Sequence, residues 1–106
     1  MDNIKIMLVC SAGMSTSMLV RAMKIAIDEA NVAAEVLAKP STEAMEYIES
    51  NPVDVVLLGP HVRFFEETYK SELSAKNIPI ATIPPRDYGT MDGQKVLNQA
   101  LNLVKE

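Results

Sequence analysis

Apolar positions in this chain fall into short unbroken blocks, and between them they recur every three or four residues. The first block, Ile4 to Val9, is almost wholly apolar and predicts a strand covered on both faces. From about Ser15 to Asn31 the period lengthens. Leu19, Met23, Ala26, Ile27 and Ala30 share one face, with Arg21, Lys24 and Asp28 on the other, which predicts an amphipathic helix. A second strand, Ala34 to Ala38, stops at Pro40, and Ser41 is placed to cap a short helix reaching about Glu49. Pro52 punctuates before a third strand, Val53 to Leu58, which ends at Gly59-Pro60. A charged helix is predicted from about His61 to Lys76, with Phe65, Tyr69 and Leu73 as its inner stripe. A fourth strand, Ile78 to Ile83, runs into Pro84-Pro85. The last helix, Asp92 to Lys105, gathers Val96, Leu97, Ala100, Leu101 and Val104 on one face.

Alternating strands and helices with near-continuous apolar strands predict an α/β fold. The expected architecture is a four-stranded parallel sheet, order 2-1-3-4, with helices on both faces. Ligands in such sheets bind beyond the carboxyl ends of the strands, where the strand order switches. Three segments would share that rim: Cys10 to Thr16, Gly59 to His61, and Pro84 to Met91.

Composition narrows the picture. A chain of 106 residues, 48% of them hydrophobic, suits one domain over residues 1–106 with a real core. No apolar stretch is long enough to cross a bilayer, and the beginning lacks the order of charges and apolar residues of a signal peptide. A cytoplasmic protein without direct membrane insertion is expected. Net charge is −4 and the cations are dispersed, so nucleic-acid binding is not expected. A single cysteine and a single histidine make neither an internal disulfide nor a Cys/His zinc site.

That cysteine, Cys10, ends the first strand and opens the segment CSAGMSTS, residues 10–17. Backbone N–H groups of such a loop, and the unpaired N–H groups of the following helix, can converge on an anion. The same field, with the helix dipole, stabilises a thiolate and makes it a nucleophile. Gly13 lets the backbone curl, and Ser11, Ser15, Thr16 and Ser17 can donate hydrogen bonds without filling the cradle. Position and composition leave an inert buried thiol open as the alternative. The lysine and paired glycines of a nucleotide P-loop are missing, as is the G-x-G-x-x-G dinucleotide pattern. A response-regulator receiver would need carboxylates where Leu8, Val9 and Cys10 stand.

The segment Cys10 to Ser17, with DVVLLGP (Asp54 to Pro60) and YGTMDG (Tyr88 to Gly93), resembles the enzyme IIB components of the lactose/cellobiose/chitobiose branch of the bacterial sugar phosphotransferase system. The resemblance spans essentially the whole chain. It implies that Cys10 takes a phosphoryl group from a phosphohistidine on a partner IIA protein. The group then passes to a β-linked sugar held by a membrane IIC component. It also implies that Ser11, Ala12, Gly13, Met14, Ser15, Thr16 and Ser17 form the phosphate cradle, and that no metal or organic cofactor takes part.

The segment is also similar to the phosphate loop of the low-molecular-weight tyrosine phosphatases, whose fold the chain is expected to share. There an arginine stands six positions after the cysteine; here the position is Thr16. An arginine fork stabilises a transferring phosphoryl group. Its absence, with no evident Asp acid for a leaving group, favours a relay over self-sufficient hydrolysis. A free-standing cysteine phosphatase or arsenate reductase, and a thiol-switch regulatory module, are the alternatives.

Four other residues stand on or beside the rim. His61 reads as a solvated first-turn residue, against the alternative of a phosphoryl acceptor or acid/base group; the family resembled commonly has glutamine there, which leaves modulation of docking as a further role. Met14 is expected at the loop's tip, as core or as an adaptable contact for a partner. Tyr88 is expected to anchor its loop or to close one side of the phosphate site, and Asp92 to start the last helix rather than to serve as a catalytic acid.

Overall fold

The computed structural model describes residues 3–11 and 14–105, without the side chains of Met14, Ser15 and Lys105. Four strands, β1 (Ile4–Cys10), β2 (Ala34–Pro40), β3 (Val55–Leu58) and β4 (Ile80–Thr82), form one sheet in the order β2-β1-β3-β4. All pairings are parallel, with Ile6 opposite both Val36 and Val55, and Val56 opposite Ile80. The expected strand order and parallel sense are therefore those observed.

Two apolar layers fill the two faces of the sheet, and the strand period of two divides them. Ile6, Leu8, Val55 and Leu57 face one way, onto Leu19, Met23, Ala26 and Ile27 of α1 (Met14–Ala30). The same layer holds Tyr88 of α4 (Pro85–Gly89) and Val96, Leu97 and Ala100 of α5 (Gly93–Lys105). Met7, Val9, Val56 and Leu58 face the other way, onto Ala44 and Ile48 of α2 (Ser41–Ser50) and Tyr69 and Leu73 of α3 (Glu66–Ser74). Helices on both faces explain why the strands carry no polar alternation. Ala30, counted on the inner stripe of α1 by its spacing, is exposed at the helix end.

Several element boundaries differ from the expectation, each for a local reason. The long helix from His61 to Lys76 is two elements. A 3₁₀ segment, Pro60–Phe65, precedes α3, and Val62 breaks the helical path at φ −119°, ψ 22°. Val62 is 2% exposed and packs with the Met7–Leu73 layer, so burial sets its backbone rather than helix continuity. Ser41 does not cap α2: Pro40 precedes the helix, and no side-chain cap bond is made. The Ser41 carbonyl instead accepts the Tyr69 hydroxyl at 3.0 Å. The stretch Pro84 to Met91, expected as a loop, contains α4, with Pro85 at the position where a missing N–H costs a helix nothing.

Residues at the amino ends of the strands tie the sheet from below. Asp54 accepts the Lys5 N–H on its carboxylate at 2.7 Å, and its own N–H donates to the Lys5 carbonyl at 2.9 Å. Val53 and Asp54 therefore stand before β3 rather than in it. Lys5 Nζ meets Glu35 Oε2 at 2.7 Å across β1 and β2. Their mutual hydrogen bond raises the Lys5 pKa and lowers that of Glu35, to which Asn3 also donates. The resembled stretch from Asp54 thus begins with a residue that fastens the sheet edge opposite the rim.

Candidate functional site

Cys10 is the last residue of β1, paired with Pro40 of β2, and half-buried. Its side position in the sheet is the switch point: β2 lies on one flank of β1, and β3 with β4 on the other. The thiol Sγ lies 3.9 Å from the Lys39 carbonyl oxygen, as a weak donor. Ser11 follows in a bend and is exposed. Ala12 and Gly13 lie outside the described residues, as do the side chains of Met14 and Ser15. The chain re-enters regular structure at Met14, the first residue of α1. Met14 is thus part of the helix's first turn rather than the tip of a loop, and the first-turn N–H groups of α1 follow Cys10 within a few residues.

Thr16 and Ser17, both expected as cradle donors, take different environments. Ser17 is exposed on α1. Thr16 is 4% exposed, and its Oγ1 lies 3.1 Å from the hydroxyl of Tyr88. Tyr88 is itself buried at 8% and reaches Thr16 across 72 residues of chain. It therefore does more than anchor its own helix, since it ties α4 to the first turn of α1.

The Tyr88 ring also touches the third segment of the rim. A Cβ built on Gly59 would lie 3.5 Å from Tyr88 Cε1 and 3.5 Å from the Val9 carbonyl oxygen. The Gly59 N–H donates to that carbonyl at 2.8 Å, one residue before Cys10. His61 is exposed, and its ring stands edge-on to Tyr88, centroids 5.6 Å apart and planes at 68°. The three expected segments do converge, and Tyr88 is the side chain where they meet.

Asp92 behaves as a helix-start residue: its Oδ1 accepts the Lys95 N–H at 3.1 Å at the start of α5. Arg21 is exposed on α1. Among the described residues, no three His, Cys, Asp or Glu side chains come together as a metal site. No described helix is long and apolar enough to cross a membrane.

Two exposed apolar side chains were not legible from the sequence. Met18 on α1 is 62% exposed and Phe64 in the 3₁₀ segment 69% exposed, both large apolar side chains left in solvent. Phe64 lines an open cleft of about 420 Å³ with Pro60, His61, Arg63 and Pro85, at the carboxyl edge of the sheet. The helical period placed Phe65, not Phe64, inward, but nothing in the sequence placed Phe64 beside the rim. A larger concavity, about 620 Å³, lies at the amino ends of the strands beside Asp54, Asn77 and Pro79, away from Cys10. Asp54 in that concavity already accepts the Lys5 N–H.

The chain's relatives show its family and its fold. The family model for the lactose/cellobiose-specific IIB subunit of the phosphotransferase system (PTS) matches residues 5–99. The oligo-beta-mannoside-specific EIIB component of Bacillus subtilis is 38% identical over 100 residues, covering 94% of this chain and 95% of that protein. The galactose-specific EIIB component of Lactococcus lactis is 38% identical over 102 residues, covering 93% of this chain and 94% of that one. Among solved structures, the cellobiose-specific IIB component of Borrelia burgdorferi superposes with a TM-score of 0.78 at 41% identity, over 97% of this chain and 93% of its own. The sheet order and flanking helices are those of IIB domains, whose fold is tyrosine-phosphatase-like. The chain belongs to the lactose/cellobiose-specific IIB family and is a phosphotransferase component of the sugar phosphotransferase system.

Proposed function

We propose that this protein is the phosphoryl carrier between a IIA protein and a membrane IIC component, with Cys10 as the residue that carries the group. IIB components work with IIA and IIC partners in general. In this reading the Cys10 thiolate attacks the phosphorus of a phosphohistidine on IIA. The S–P bond forms as the N–P bond breaks, and the histidine nitrogen leaves with the electron pair. Backbone N–H groups of residues 11–17 and the hydroxyls of Ser11, Ser15, Thr16 and Ser17 hold the phosphocysteine. A hydroxyl of a β-linked disaccharide bound by IIC then attacks phosphorus. The S–P bond breaks, Cys10 leaves as thiolate, and the sugar hydroxyl proton passes to a base of the IIC site or to water. The whole chain, residues 1–106, acts as one cytoplasmic domain.

One observation carries this reading: Cys10 ends β1 at the switch point of the sheet, directly ahead of the amino end of α1. A second favours relay over hydrolysis. The position where a phosphatase keeps its arginine holds Thr16, buried and bonded to Tyr88, and Arg21 is exposed further along α1. With Thr16 in place of that arginine, a phosphocysteine persists until a partner completes the site. Exposed Met18 and Phe64 offer adaptable apolar contact to such partners.

The test is intact mass after incubation with phosphohistidine-charged IIA proteins of this branch, the native chain beside Cys10→Ser. A single phosphoryl group that maps to Cys10, is absent in the variant, and discharges only with IIC and sugar supports the carrier. No gain from any charged IIA, or turnover of an aryl phosphate without partners, refutes it.

A further inference from the structure

The Thr16–Tyr88 pair leaves a question that the carrier reading does not answer. Thr16 is counted among the donors to phosphate, yet its hydroxyl is buried and already shares a hydrogen bond with Tyr88. A hydroxyl has one proton. If Thr16 gave it to Tyr88, nothing would be left for an anion.

The chemistry of the two groups fixes the direction. A phenol is the stronger donor and the weaker acceptor, and an aliphatic hydroxyl the reverse. Among the described residues Tyr88 has no other hydrogen-bond partner for its hydroxyl, and a buried O–H that does not donate is costly. The Tyr88 ring is held by packing that allows little choice: the Gly59 backbone lies beside one edge, and His61 stands against it at 68°. Tyr88 therefore donates, Thr16 accepts, and the Thr16 proton is turned away from Tyr88.

We propose that Tyr88 is a positioning residue for phosphoryl transfer: by donating to Thr16 Oγ1 it commits the Thr16 proton to the phosphate on Cys10. This inference rests on the carrier reading above. It assigns a role to the tyrosine of YGTMDG, and it explains why a residue 72 positions from Thr16 is buried against the first turn of α1. Donation from an oriented hydroxyl to a phosphate oxygen is a charge-assisted bond, stronger than a neutral one. A hydroxyl already polarised by accepting from a phenol donates better still.

The experiment is the equilibrium of phosphoryl exchange with a charged IIA protein, read by intact mass, for the native chain, Tyr88→Phe, Thr16→Val, the double variant and Thr16→Ser. Tyr88→Phe and Thr16→Val should each lower the exchange constant about tenfold, the size of one lost charged hydrogen bond. The double variant should fall no further than Thr16→Val alone, and Thr16→Ser should stay near native. The phosphorus NMR resonance of the phosphocysteine should move in the same sense in both single variants, a signature that a packing role would not give. A native exchange constant in Tyr88→Phe, or effects of the two substitutions that multiply, overturns the proposal while Cys10 still charges. A native chain that never charges at Cys10 overturns the carrier reading and the proposal with it. If Tyr88→Phe does not fold, Thr16→Ser against Thr16→Val decides. Equal constants overturn the proposal, and a tenfold gap in favour of serine, with the phosphorus resonance shifted only in the valine variant, supports it.

Discussion

Gly93 lies against the backbone of Ala22: a Cβ at Gly93 would come within 2.4 Å of the Ala22 carbonyl carbon and 2.7 Å of the Met23 nitrogen. Only the missing side chain lets α5 approach α1 this closely. The glycine that ends YGTMDG is thus a packing residue, and its contact bears on the helix that begins at the candidate site.

Gly93→Ala should therefore destabilise the fold by about 2 kcal/mol or more, because backbone and not a flexible side chain would have to yield. Gly59→Ala should cost less than about 1 kcal/mol, since its Cβ would meet ordinary contacts at 3.5 Å. Urea unfolding of the two variants beside the native chain checks the contrast. Equal midpoints for native and Gly93→Ala would show that the helices separate at no cost.

Tyr69 is buried among Met7, Val9 and Leu73, and its hydroxyl donates to the Ser41 carbonyl at 3.0 Å. Burial, and then the negative charge of Glu72, raise its pKa above the ordinary 10.0. The unfolded chain gives up this proton at lower pH than the folded one. Its contribution is therefore fully present below pH 10 and lost as pH rises through the higher folded value. Tyr69→Phe should cost about 1 kcal/mol at neutral pH and flatten the alkaline loss of stability. Chemical denaturation at pH 7 and above pH 10 measures both, and an unchanged alkaline slope in the variant would count against this account.

His61 is exposed and touches Tyr88 only edge-on. His61→Gln should leave phosphoryl acceptance by Cys10 within about threefold of native, less than one full hydrogen bond of transition-state energy. It should lower stability by about 0.5–1 kcal/mol, through the lost aromatic pair. Single-turnover transfer from charged IIA at two pH values tests it. A loss of a hundredfold or more would make His61 part of the chemistry.

Phe64 contributes an exposed ring to the cleft beside His61. Phe64→Ser should change stability by no more than about 0.5 kcal/mol, since 69% of the residue is already in water. The variant should slow transfer with at least one partner, by weakening apolar contact. Thermal unfolding and transfer kinetics, measured on one preparation, separate the two effects. A large fall in Tm with normal transfer would mean that the ring serves the fold.

The sequence by itself determined the alternation of strands and helices, the parallel sheet in the order β2-β1-β3-β4, and the placing of Cys10 at the carboxyl edge. It could do so because short unbroken apolar runs such as Ile6 to Val9 and Val55 to Leu58, bounded by turn residues, read as doubly covered strands. The motif from Cys10 to Ser17 likewise makes its proposed chemistry legible in residue types and spacing. Tertiary structure alone decided the rest. It split the helix after Gly59, because Val62 is drawn into the core at a backbone angle no helical period reveals. It folded α4 out of an apparent loop, buried Thr16 against Tyr88, and left Met18 and Phe64 in solvent. The Thr16–Tyr88 contact, for one, joins residues 72 positions apart in the chain. A local period says which face of an element is apolar; only the packed fold says what that face will touch.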